Sequence, residues 1–192
     1  MNAYILHSYF ITQILIKGHY SKTISQMKTF EELVEEGVGC AVILAGSESD
    51  QPHIDKIAKA LGIYKIPFEV RIASAHKQPA DLQLILEFYD SLKGPLAYIA
   101  VVGGTDALSG TISFHSHRPT ITCPPDHYNP SGTSNPSGSS NAYIGRPENA
   151  ARFVAQMFSH FNPKYREKIL ETVDQKVKDL EVGDETMRSK YK

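Results

Sequence analysis

Three short polar segments hold the residues best suited to chemistry in this chain. Gly46-Ser47-Glu48-Ser49-Asp50 follows directly on an apolar run. Gly46 permits a tight turn and close approach of a ligand to the backbone. The serine hydroxyls and the free N–H groups of a following helix start suit a phosphate, and Asp50 can accept from ribose hydroxyls. Helix capping by Ser49 or Asp50 is the structural alternative. Ser74-Ala75-His76-Lys77 adds an imidazole, the side chain suited to moving protons near neutral pH. Lys77 beside it can neutralise a phosphate or carboxylate. Gly103-Gly104-Thr105-Asp106 is a third close-approach segment, with Thr105 or Asp106 as alternative caps. His115 and His117 form a His-x-His pair on an expected strand, but no third ligand stands at metal-site spacing.

Regular elements must bring these segments together. Cys40–Ala45 is a continuous apolar run of the kind found in buried parallel strands. Ile54, Ile57, Ala58 and Leu61 then share one helical face. The run 68–73 alternates Phe68, Val70 and Ile72 with Glu69 and Arg71, a second strand. Pro79 opens a helix carrying Leu82, Ile85, Phe88, Tyr89 and Leu92. Further strands are expected over 96–102, 119–123 and 141–144, with a short helix through Phe114 between the first two. Helices over 148–158 and 164–180 follow, the latter with an apolar stripe of Ile169, Val173, Val177 and Leu180. The polar stretch 182–192 is expected to fray. This alternation predicts an α/β, doubly wound parallel sheet with helices on both faces. Ligands in such sheets bind beyond the carboxyl ends of the strands, so segments 46–50, 74–77 and 103–106 are expected on one edge.

Residues 124–141 are rich in Pro, Ser, Gly and Asn. A disordered linker is one reading. An ordered loop over a site is preferred, because no second domain follows for a linker to join. With few apolar anchors, this loop is expected to need a neighbouring subunit to stay ordered.

The bulk properties narrow the partners. A formal net charge of −1 over 192 residues offers no global field for nucleic acid or an anionic membrane. The two cysteines, Cys40 and Cys123, lack metal spacing and fit reduced, buried thiols in a cytoplasmic protein. The apolar run 3–16 is too short to span a bilayer and lacks the marks of a secretory signal. Residues 1–38 are read as a leader or extension, with a natural start near Met27 favoured. The expected catalytic domain covers 39–181.

Gly46-Ser47-x-Ser49-Asp50 after one strand and Ser74-Ala75-His76-Lys77 after the next resemble the aminoimidazole ribonucleotide carboxylase family. The run 67–77 (PFEVRIASAHK), then Cys123-Pro124-Pro125, Pro136-Ser137-Gly138 and Glu148-Asn149-Ala150, continue the likeness over roughly residues 40–172. The resemblance implies a flavodoxin-like three-layer core, a tetramer or octamer, and no metal or organic cofactor, CO2 being a co-substrate. It implies a purine-synthesis reaction on a small-molecule ribonucleotide. Ser47, Asp50, Ser74 and Lys77 would hold ribose and phosphate, Gly103 and Thr105 would add contacts, and His76 would handle the proton. Asp106, Ser137 and Gly138 are further candidate loop contacts. The family has a branch using CO2 directly and a mutase branch moving a carboxylate from nitrogen to carbon. Lys77, in place of the mutases' usual Arg, and the shorter third loop through Ala107-Leu108-Ser109-Gly110 resemble the direct carboxylases. Gly104, Asp106 and Ser134 depart from that branch, which typically has Arg, Asn and Arg at these positions.

Overall fold

The computed structural model describes residues 28–126 and 128–192. The apolar run 3–16 and most of the expected leader lie outside the described residues. Residues 28–38 include a short helix that packs on the domain. Thr29 and Glu32 form a reciprocal cap, with Thr29 Oγ1 accepting from the Glu32 N–H at 3.2 Å and Glu32 Oε2 accepting from the Thr29 N–H at 2.8 Å. Helix α1 (Phe30–Glu35) buries Val34 in the core. Its end lies so close to Gly94 that a Cβ there would stand 1.5 Å from the Val34 carbonyl oxygen.

The strands are β1 (Cys40–Ala45), β2 (Phe68–Ile72), β3 (Leu96–Val101), β4 (Thr120–Thr122) and β5 (Asn141–Tyr143). They form one parallel sheet in the order β2-β1-β3-β4-β5. This is the doubly wound, flavodoxin-like order, with the first strand inside. The helices are α2 (Gln51–Ile63), α3 (Pro79–Ser91), α4 (Leu108–His115), α5 (Pro147–Phe158) and α6 (Pro163–Lys190). Side chains alternate across the sheet. Ala41, Ile43, Ile99 and Val101 meet Ile57 and Leu61 of α2 and Val154 and Phe158 of α5. Val42, Leu44, Tyr98 and Ala100 meet Leu82, Leu86 and Tyr89 of α3 and Leu108 and Ile112 of α4. Strands β1 and β3 are buried throughout, which their unbroken apolar runs foretold. Strand β2 is one edge, β5 the other, and Val70 and Ile72 of β2 stay exposed.

Cys40 and Cys123 are free and buried, and burial pushes both thiols up to about 12. They serve as small core side chains. His115 ends α4 rather than lying on a strand, and His117 follows it beside Asp90. Among the described residues no helix is long and apolar enough to cross a membrane.

One further expectation is corrected. The stretch 182–190 continues α6 to Lys190 instead of fraying. Good helix formers fill it, a single Gly183 is tolerated at about 1 kcal/mol, and Arg188 and Lys190 sit favourably at the negative end of the helix dipole. The loop between β4 and β5 is held by its own chain, through polar ties in place of apolar anchors. Asn129 donates from Nδ2 to the carbonyls of Val102 (3.2 Å) and Gly104 (2.7 Å). Asn135 donates to Asn141 at 2.7 Å, and Asn141 donates to Thr122 Oγ1 at 2.7 Å and to the Gly132 carbonyl at 3.0 Å.

Helix α6 is attached at its start. Asn162 donates to the Val38 carbonyl at 2.8 Å, and the buried Tyr165 hydroxyl donates to the Gly39 carbonyl at 2.7 Å. Tyr165→Phe strands that carbonyl in the core and is expected to cost about 1–3 kcal/mol. Urea unfolding measures it, and an unchanged midpoint would show that the bond does not fasten α6.

Candidate active site

Strands β1, β2 and β3 stop at one level. Ala45 is paired with Ile72 on one side and with Val101 on the other. The segments that follow therefore surround one cavity of about 560 Å³. Ser47, Asp50, Ser74, His76, Lys77, Gly103 and Thr105 all line it, and Ala107 and Leu108 give it an apolar wall.

The first segment separates capping from binding. Ser47 Oγ accepts from the Ser49 N–H at 3.2 Å and from the Ser49 hydroxyl at 2.8 Å, capping the 3-10 turn Glu48–Asp50. Asp50 occupies the N-cap position of α2 yet makes no capping hydrogen bond. Its carboxylate is thus left to the cavity. In the second segment Ser74 Oγ accepts from the Lys77 N–H at 3.3 Å, and the Gln78 N–H donates to the Ser74 carbonyl at 2.8 Å. This closed turn carries His76 and Lys77 exposed at the rim. Lys77 is the one Lys or Arg among the lining residues.

The third segment needs glycine at position 104. Gly104 has φ +65°, the left-handed region. Gly103 faces the acids of the site: a Cβ there would lie 3.9 Å from both Asp50 Oδ1 and Asp126 Oδ2. Asp106 turns away from this cavity. It is buried, accepts from the Ser109 N–H at 2.9 Å and from the Ser109 hydroxyl, and so caps the first turn of α4. Its own N–H donates to Ser131 Oγ at 2.7 Å.

Asp106 and Ser137 line a different cavity, of about 600 Å³, beside Phe114 and His115. Gly138, at φ +92°, packs near the Phe114 ring. The expected loop contacts at Asp106, Ser137 and Gly138 are therefore not brought to the cavity of His76 by this chain's fold. For Asp106 the reason is its capping bond, which commits the carboxylate to α4; Ser137 and Gly138 lie on the Phe114 side of the loop.

Two groups near the cavity were missed from sequence. Asp126 comes from the β4–β5 loop, and no pattern announced it. His53 is buried in the first turn of α2, and its Nε2 lies 3.1 Å from the Cys123 carbonyl oxygen. Its signal was the three-residue step from Asp50, which places both on one helix face. Burial holds the His53 ring below the ordinary imidazole range, against smaller upward pulls from the Cys123 carbonyl and Asp50. Asp50 is raised above the ordinary carboxylate value, first by burial; His53 opposes this and Asp126 adds to it.

Comparison with known proteins gives the same assignment. The family model described as AIR carboxylase matches residues 40–179. Phosphoribosylaminoimidazole carboxylase of Treponema denticola is 35% identical over 134 residues, 67% of this chain and 84% of that protein. The crystal structure of Treponema denticola PurE superposes with a TM-score of 0.73 at 30% identity, covering 77% of this chain and 97% of that one. A probable N5-carboxyaminoimidazole ribonucleotide mutase of Methanobrevibacter smithii is 30% identical over 139 residues, 68% of this chain and 41% of that protein. The chain belongs to the AIR carboxylase family of purine-biosynthesis enzymes.

The raised Asp50 carboxyl has a consequence for stability. Its folded-state value lies above the reference of 3.8, so its contribution is full below that pH and is lost as pH rises through the folded-state value. Asp50→Asn is expected to melt at or above the parent at about pH 7, with the difference gone by about pH 3.5. Thermal melts across this range decide it; a variant less stable at neutral pH would return Asp50 to a structural role.

Proposed function

We propose that this enzyme carboxylates 5-aminoimidazole ribonucleotide with CO2 to give 4-carboxy-5-aminoimidazole ribonucleotide. The observation that carries the reading is the convergence of His76, Lys77, Ser47 and Asp50 on one cavity. Lys77, the Ser47 and Ser74 hydroxyls and the N-terminal turn before α2 receive the phosphate. Asp50 accepts from ribose hydroxyls, and Gly103 and Thr105 let the nucleotide lie close to the backbone. The imidazole carbon beside the amine attacks the carbon of CO2. A C–C bond forms, and the CO2 oxygens take up the charge as carboxylate. The hydrogen on that ring carbon then leaves as a proton to His76, and aromaticity returns. A positioned base is worth about 10²–10⁴-fold, and holding CO2 against the ring supplies proximity. The reaction needs no metal or organic cofactor. The reduced, buried thiols suit a cytoplasmic setting.

The second reading is the mutase, favoured by the likeness to the Methanobrevibacter smithii protein. Lys77 after Ser-Ala-His and the short third loop favour direct use of CO2. Purified protein given 5-aminoimidazole ribonucleotide and bicarbonate is expected to form the carboxylated product, read by absorbance. Turnover of the N5-carboxylated substrate alone would mark a mutase. Binding without turnover of either would mark a nucleotide-binding protein. His76→Asn is expected to lower turnover by about 10²–10⁴-fold with ribonucleotide binding retained. A variant keeping more than roughly a tenth of the rate would contradict a proton-transfer role.

We further infer a homo-oligomer of at least four chains, with the 124–141 loop at a subunit contact. Leu170, Val173, Val177 and Leu180 lie exposed along α6, an apolar stripe that the chain's own core leaves uncovered. Light scattering during size exclusion at micromolar concentration is expected to give at least a tetramer. A fully active monomer would contradict this.

A further inference from the structure

Behind the cavity stands a group that the proposed reaction does not use. His53 is 7% exposed and is not among the residues lining the cavity. Its Nε2 lies 3.1 Å from the Cys123 carbonyl oxygen, which makes Nε2 the donating nitrogen of the ring. The Cys123 N–H donates to the Ala100 carbonyl at 2.9 Å, so the accepting carbonyl is fixed to the sheet. From Cys123 the chain runs through Pro124 and Pro125 to Asp126. A Cβ on Gly103 would meet Pro125 Cγ at 3.5 Å, and Asp50 Oδ1 and Asp126 Oδ2 at 3.9 Å each. The bond from His53 to Cys123 thus ties together the two segments whose carboxylates flank Gly103.

We propose that His53 is a positioning residue: by fastening the first turn of α2 to the segment after β4, it sets where the Asp50 carboxylate meets the ribose hydroxyls. This rests on the reading of Asp50 as a ribose acceptor. Burial keeps the ring neutral, so it fills this place without adding a charge behind Asp50. Asp50 makes no capping bond of its own. Its carboxylate is met by the Ser47 backbone N–H, and both move with the helix start that His53 secures.

Two amide variants separate this role from simple packing. Gln extends far enough to donate from its Nε2 to the Cys123 carbonyl, and Asn stops one bond short. Calorimetric titration with 5-aminoimidazole ribonucleotide is expected to give His53→Gln a Kd within about threefold of the parent, and His53→Asn a Kd roughly tenfold weaker. In an Asp50→Asn background, His53→Asn is expected to add less than about twofold, because its effect passes through Asp50. Equal Kd values for the Gln and Asn variants, or full additivity in that background, would overturn the proposal. If His53→Asn does not fold, the parent protein still decides. The ¹⁵N imidazole spectrum is expected to show a neutral Nε2–H ring whose signals shift on adding the ribonucleotide, and unshifted signals at saturation would overturn it. Ribonucleotide binding without turnover would refute carboxylation and leave the His53 role standing. A parent protein that does not bind the ribonucleotide would refute both.

Discussion

The level at which three parallel strands end governs this structure. Ala45, Ile72 and Val101 share one register across β2, β1 and β3. Parallel pairing with both faces covered leaves the chain no other place for its polar turns than the sheet's edge. A slip of one residue in β1 would turn Ile43 and Ala45 from one helical layer to the other and move Gly46–Asp50 out of reach of Ser74–Lys77. The position of the cavity therefore follows the register, and the register is held by the apolar layers on both faces.

Polar bonding adjusts what the register places. Ser47 takes over the capping of the turn before α2, which leaves Asp50 open to the cavity. Asp106 does the reverse, giving its carboxylate to the first turn of α4. The same residue type at two helix starts thus ends in opposite roles. Asn129 extends the scheme, because its side-chain amide grips Val102 and Gly104 and fastens the β4–β5 loop to the third segment of the site. A buried amide that satisfies two backbone carbonyls holds a loop that apolar contacts would not.

Much of this could be read from the residues. The apolar runs of β1 and β3 announced buried parallel strands, and the polar segments after β1, β2 and β3 announced the edge at which His76 and Lys77 meet Ser47 and Asp50. Periodicity carries such information because burial on one or two faces repeats along the chain. The contribution of Asp126 could not be read, and the spacing of His53 from Asp50 offered its face but not its partner, the Cys123 carbonyl, since which backbone crosses which is recorded in no repeat. The inward turn of Asp106 was equally hidden, because a capping bond and a ligand contact call for the same side chain. Residues 182–190 are polar yet helical for a different reason: their helix propensity outweighs the lack of an apolar face.

The proposed reaction requires the three segments to act as one ribonucleotide site. A crystal structure of the protein with 5-aminoimidazole ribonucleotide is expected to show phosphate at Ser47, Ser74 and Lys77, ribose at Asp50, and the imidazole carbon facing His76 within the cavity above β1 and β3. A nucleotide found instead in the cavity beside Phe114 and Ser137, or touching only one of the three segments, would contradict it.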